Sequence, residues 1–316
     1  MLKPVISGLL AACLAASSAA ALEKISIGDV GSGNATHWPV YIAAEKGFFR
    51  DGGIEVEYIP TPSSAQAIQQ LAAGSVNMAS SGLPDILRAI DQGARVRVLR
   101  VEVGPSPYEF YGAKNIGSVA ALAGKTVMIG GAKDITRTYF EDVAKAKGLD
   151  PAKVDYIFAG STSSRYAALA SGSIAATILF PPFSFKAKSE GFVPLGRSAD
   201  FSKDFPFTSY SVNEAWGRKN APPVKAFLAG MAKGIDWFYD PANRAEAIAI
   251  AVKATKASPA DIADSYDFFQ EIRPYDRDAT VPRAGIEKLL AIVKSQGDLS
   301  GAADFDRFYD PAIIPK

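Results

Sequence analysis

The 316-residue chain carries one segment twice. Val56-Glu57-Tyr58-Ile59 returns as Val154-Asp155-Tyr156-Ile157, and Leu71-Ala72-Ala73-Gly74-Ser75-Val76 as Leu169-Ala170-Ser171-Gly172-Ser173-Ile174. Both pairs lie at an offset of 98, and so do Pro84 and Pro182, and Gly93 and Gly191. Eleven of the 38 positions from Val56 to Gly93 are identical, where composition alone gives about three. Divergent duplication explains this; two β-α units of similar composition are the alternative. The copies extend toward the N-terminus. Ile25-Ser26-Ile27-Gly28 and Val127-Met128-Ile129-Gly130 read as strands entering glycine loops. Helical patterns follow from Trp38 to Lys46 and from Thr136 to Lys147, ending at Gly47 and Gly148, because glycine tolerates the positive φ of a helix C-cap.

Each copy therefore alternates strand and helix, and strands joined by helical crossovers lie parallel and are covered on both faces. Two copies predict two similar α/β lobes. Ligands of open α/β sheets bind beyond the carboxyl ends of the strands, which places a ligand in the cleft between the lobes. Gly104-Pro105-Ser106-Pro107-Tyr108 cannot continue as a regular interior strand and reads as a crossing. Phe205-Pro206-Phe207-Thr208-Ser209-Tyr210 reads as a second extended crossing. From Pro222 to Ile292 the pattern is mostly helical, and these helices are expected to return to lobe one. The expected organisation is residues 22–104 and 208–316 in lobe one, 105–207 in lobe two, and two crossings that form a hinge.

Residues 1–21 read as an export signal. Lys3 precedes an apolar stretch, and small residues end in Ala19-Ala20-Ala21. The stretch is shorter than the ~20 apolar residues of a bilayer span. Cys13, the one cysteine, stands in a Leu10-Ala11-Ala12-Cys13 context that resembles a lipoprotein box, so a lipid anchor is the alternative to soluble periplasmic release. Balanced charge, 34 basic against 33 acidic residues, argues against nucleic acid as a partner.

Trp38-Pro39-Val40-Tyr41-Ile42-Ala43-Ala44-Glu45-Lys46-Gly47-Phe48-Phe49 resembles the signature of NMT1/THI5-like, nitrate/sulfonate/taurine-type periplasmic binding proteins of ABC transporters. Gly53-Ile54-Glu55-Val56, Leu71 to Met78 and Leu122-Ala123-Gly124-Lys125-Thr126-Val127 fit the same pattern. The resemblance implies a type II periplasmic-binding fold and delivery of a small molecule to a membrane ABC permease; a monomer without cofactor is expected. A ligand-sensing module for a receptor, or an exported enzyme on the same fold, are the alternatives.

Four loops at carboxyl ends of strands are candidate contacts. The first, Asp29 to His37, ends in Asn34, His37 and Trp38; a capping His37 and a core Trp38 are the plainer readings. The second supplies Ser80 and Ser81, whose hydroxyls and free N–H groups before a helix can hold an oxyanion; a serine helix cap is the alternative. Asp85, in that helix's first turn, is left out of the site. The third supplies Gly131, Lys133, Asp134 and Thr136, either as an anion site or as a loop with Asp134 as N-cap. The fourth supplies Phe180 and Pro181, with apolar bulk where copy one has hydroxyls; core packing competes for Phe183 and more so for Phe185. Tyr210 joins them from the second crossing. The expected ligand is a small organic molecule with a polar end and an apolar body, an anion such as a sulfonate or carboxylate, bound without metal. No G-x-S-x-G or H-E-x-x-H motif occurs, and one histidine cannot build a multi-histidine metal site.

Overall fold

A computed structural model describes residues 21–30, 34–201, 206–278, 281–295 and 297–313. The expected export segment with Lys3 and Cys13, the loop glycines Gly31 and Gly33, and Phe205 lie outside the described residues. The strands are β1 (Glu23–Val30), β2 (Ile54–Thr61), β3 (Met78–Gly82), β4 (Val96–Val103), β5 (Glu109–Gly112), β6 (Thr126–Ile129), β7 (Asp155–Phe158), β8 (Ala176–Leu179), β9 (Val193–Arg197) and β10 (Thr208–Asn213). They form two five-stranded sheets, ordered β2-β1-β3-β10-β4 and β7-β6-β8-β5-β9. Helices α1 (Trp38–Glu45), α2 (Phe48–Asp51), α3 (Ser64–Ala73) and α4 (Leu83–Asp91) belong with the first sheet. Helices α5 (Ile135–Ala146), α6 (Thr162–Ala170) and α7 (Phe183–Ser189) belong with the second. The inner strands β3 and β8 are buried at every residue, as strands covered on both faces must be. Gly47 and Gly148 have φ of +79° and +78° and follow α1 and α5 as the sequence requires.

Each sheet holds one strand that the alternation of strand and helix did not reveal. β10 runs antiparallel between β3 and β4, and β5 runs antiparallel between β8 and β9. Both arrive from the other sheet rather than through a helical crossover, so nothing obliges them to be parallel. The structure also corrects the match of the first strands. Ser26 pairs with Glu57 and Ile27 with Met78. Thr126 pairs with Asp155 and Val127 with Ala176. The strands therefore correspond at an offset of 100, with Ile27 opposite Val127, and not with Gly28 opposite Gly130. The error is two residues, which preserves the in-out alternation of a strand and so leaves no trace in the hydrophobic pattern.

The C-terminal helices α8 (Glu214–Lys219), α9 (Ala221–Tyr239), α10 (Arg244–Thr255), α11 (Pro259–Ile272) and α12 (Arg283–Ser295) pack mainly around the first sheet. α9 lies on α1 and α2, α10 on α1, and α12 on α4. α11 reaches further and touches α7, where the rings of Phe268 and Phe185 are 5.8 Å apart. Phe185 is thus a contact between the two halves. No helix among the described residues is long and apolar enough to cross a membrane.

Candidate ligand-binding cleft

A cavity of about 420 Å³ lies between the carboxyl ends of the two sheets. Three loops of each half line it. From the first half come Asp29 and Val30 at the end of β1 with Asn34 and Thr36 beyond it, Ser63 and Ser64 after β2, and Ser80 to Gly82 at the end of β3. From the second come Gly130 to Thr136 after β6, Gly160 to Ser163 after β7, and Phe180 and Phe183 after β8. The offset of 98 brings Ser63 opposite Ser161 and Ser64 opposite Thr162, so the β2 and β7 loops are matched in sequence. That offset was the available signal for them, although neither loop was among the four expected.

Eight of the expected site residues line the cavity: Asn34, Ser80, Ser81, Gly131, Lys133, Asp134, Thr136 and Phe180. Four do not. Trp38 is fully buried, donates from Nε1 to the carbonyl of Ala247 at 2.9 Å and packs on Phe238, because the return of α9 and α10 makes the start of α1 a core position. Pro181 is buried and does not line the cavity. Tyr210 lies inside β10 rather than on a crossing, since its strand is clamped between β3 and β4. His37 lies one layer behind the wall.

That layer is a buried polar network. His37 stands between two carboxylates, Nε2 2.7 Å from Asp29 Oδ2 and Nδ1 2.5 Å from Glu102 Oε1. Glu102 also accepts from Ser80 Oγ at 2.6 Å and from Tyr210 OH at 2.8 Å, and Tyr210 OH is 2.7 Å from Tyr58 OH. Burial opposes a charge on the imidazole, but Asp29 and Glu102 outweigh it and push His37 up to about 10. Burial also opposes a charge on Glu102, yet the imidazolium and the two hydroxyls hold its carboxyl below the usual range. Such a buried charge is tolerated because it is paired and hydrogen-bonded. Asp29 was seen only as the start of a loop. Glu102 left a faint signal, the one acidic residue among the apolar and basic residues of β4.

The opposite wall is aromatic. Tyr108 lies 5.2 Å from Phe180 and 4.9 Å from Phe207, ring centre to ring centre. Buried Arg165 holds this wall in place. It donates to the carbonyls of Ile178, Ala159 and Gly160, to Thr162 Oγ1 at 2.8 Å and to Tyr108 OH at 3.1 Å. Asp134 accepts from the backbone N–H of Thr136 as the N-cap of α5. Burial pushes its carboxyl up to about 6.

The cations on the wall are engaged. Arg88 donates to Asp85 at 2.9 Å, to Asp298 at 3.2 Å and to the carbonyl of Lys133 at 2.5 Å. Lys133 pairs with Asp298. Asp85, set aside on the sequence, thus lies on the wall as the partner of Arg88. These bonds run from α4 and Asp298 to the β6 loop and so connect the two halves. The halves also meet at Gly160, where a Cβ would run into the backbone oxygen of Pro62.

Comparison with known proteins agrees with this architecture. The NMT1/THI5-like family model matches residues 34–245. The Bacillus subtilis protein YtlA is 22% identical over 302 residues, covering 93% of this chain and 90% of YtlA. A zinc-bound ligand-binding component of an ABC-type import system from Staphylococcus aureus superposes with a TM-score of 0.77 at 15% identity, covering 92% of this chain and 98% of that one. The alkanesulfonate-binding protein SsuA of Xanthomonas axonopodis pv. citri, bound to MOPS, gives 0.73 at 16% identity, covering 93% and 99%. These structures share the periplasmic-binding-protein fold with this chain.

Proposed function

The chain belongs to the NMT1/THI5-like family, and from that premise we propose that it is an extracytoplasmic solute-binding protein that captures a small organic molecule between its lobes and delivers it to an ABC permease. One observation carries the reading: a cavity sized for a small molecule takes half of its wall from each of two duplicated α/β units. The crossings from β4 to β5 and from β9 to β10 serve as a hinge. Only the closed form brings both walls to the solute, so binding favours closure by the difference in affinity, and the permease can distinguish loaded from empty protein by shape.

The walls support binding rather than catalysis. His37, the chain's one histidine, is 2% exposed and locked between carboxylates, so it is poorly placed as a general base. The sequence favoured an anionic solute on the strength of helix N-termini and Lys133. Lys133 is bound to Asp298, so the charge of the solute is argued separately below.

Native mass spectrometry of freshly isolated protein tests the reading. The expected result is a bound small molecule that can be released and re-added, raising the melting temperature and lowering the radius of gyration in small-angle scattering. A protein that carries no solute and whose radius no metabolite changes would sink it.

A further inference from the structure

The oxygens and nitrogens on the cavity wall are not equally occupied. Arg88 and Lys133 are bound to Asp85 and Asp298, and Arg100 lies behind Glu102, fully buried. The helix starts are largely capped from within. Ser63 Oγ accepts from Gln66 N, Ser161 Oγ from Ser164 N, and Asp134 Oδ1 from Thr136 N. The capacity for an anion is therefore partly spent.

Acceptors are left over. Asp29 is 5% exposed and lines the cavity. Its Oδ2 takes His37 at 2.7 Å and Asn34 at 3.5 Å, while among the described residues no hydrogen bond reaches its Oδ1. Asp134, on the facing wall, likewise has Oδ2 free among the described residues. Thr208 Oγ1, also on the wall, is buried without a hydrogen-bond partner among the described residues. One imidazole is shared between Asp29 and Glu102, and Glu102 also lies in the field of buried Arg100, so of the two carboxylates it is Asp29 that keeps an oxygen for a solute.

We propose that Asp29 determines the specificity of the cavity, and that the solute presents to its free oxygen a basic nitrogen, protonated at neutral pH, while its apolar body lies against Tyr108, Phe180 and Phe207. The network of His37 and Glu102 is then a positioning device, fixing the Asp29 carboxylate so that one oxygen faces the cavity. Asp134 supplies a second acceptor when the lobes close. This proposal rests on the reading of the cavity as a solute site, and it names the chemical class that the site selects.

The test separates the two. A metabolite extract is divided into pools retained by cation exchange and by anion exchange, and each is added to the protein in a thermal-shift assay. Benzylamine, benzyl alcohol and benzoate serve as ring-matched probes, and Zn²⁺ alone as a metal control. The proposal expects stabilisation by the cation-retained pool and, among the probes, by benzylamine over the other two. Asp29→Asn should weaken that binding by about ten- to a hundredfold, the range for loss of a charge-assisted hydrogen bond. Asp134→Asn keeps the helix cap, since Asn caps as well as Asp, and should weaken it by a smaller factor even if Asp29→Asn folds poorly. Stabilisation by the anion-retained pool or Zn²⁺ alone overturns the basic-nitrogen proposal and leaves the solute-binding reading standing. Stabilisation by the unretained neutral fraction alone likewise overturns only the basic-nitrogen proposal, and stabilisation by no fraction overturns both.

Discussion

The two walls of the cleft come from halves of matched sequence and equivalent strand order, and they solve the same problem differently. At matched positions the first half has Ser80, Ser81 and Gly82 where the second has Ile178, Leu179 and Phe180. By the ladder register, Asp29 of β1 corresponds to Ile129 of β6. The first half buries charge and satisfies it with an imidazolium and hydroxyls. The second buries rings and spends one arginine on backbone carbonyls. What both kept is the framework: strand order, helix-capping glycines and the serines Ser63 and Ser161. The shared framework fixes where a ligand can sit, and the differences at the strand ends set what each wall can hold.

The largest expected effect tests the charged wall. His37→Leu leaves Asp29 and Glu102 buried without their cation, and loss of one partner of a buried pair costs about 3–5 kcal/mol. Urea denaturation measures it; a loss under ~1 kcal/mol would mean that the network does not depend on the imidazolium.

Next comes the contact between the halves. Gly160→Ala sets a methyl group against the Pro62 oxygen and should hinder closure. Affinity for the co-purified solute should fall on the order of tenfold, with the radius of gyration no longer shrinking. Unchanged scattering on binding in the wild-type protein, with full affinity in the variant, would place the site within one half.

The pH response should separate the walls. The pKa of His37 is raised from 6.5 to about 10, so its contribution to stability is fully present below 6.5 and is lost as pH rises through about 10. Asp134 is raised from 3.8 to about 6; the folded state binds this proton more tightly, so stability is greatest below 3.8 and declines as pH rises through about 6. His37→Gln should flatten the alkaline slope and Asp134→Asn the acidic one. Melting temperatures from pH 4 to 10 decide it, and identical profiles for both variants would erase the contrast. The smallest effect belongs to Lys133→Ala. Lys133 is well exposed, so stability should change by only ~0–1 kcal/mol, and a larger loss would show that its pair with Asp298 is a structural lock.

Much was legible beforehand because it follows from local rules. The offset of 98 required two similar α/β halves, alternation of strand and helix placed the loops, and glycine after a helical run marked Gly47 and Gly148. Eight candidate residues reached the cavity wall for the same reason, since a loop after a parallel strand has one place to go. The tertiary structure alone decided the rest. Trp38 became core because α9 and α10 return from far along the chain to cover it. Tyr210 entered a strand because β10 inserts between β3 and β4. Asp29, His37 and Glu102 meet only when the folded sheet sets the carboxyl ends of β1 and β4, with β3 and β10 between them, around the turn that precedes α1. Sequence periodicity reports which face of an element is buried. What it is buried against, and so whether a carboxylate finds a cation, a hydroxyl or an open cavity, depends on contacts between distant segments that no local pattern encodes.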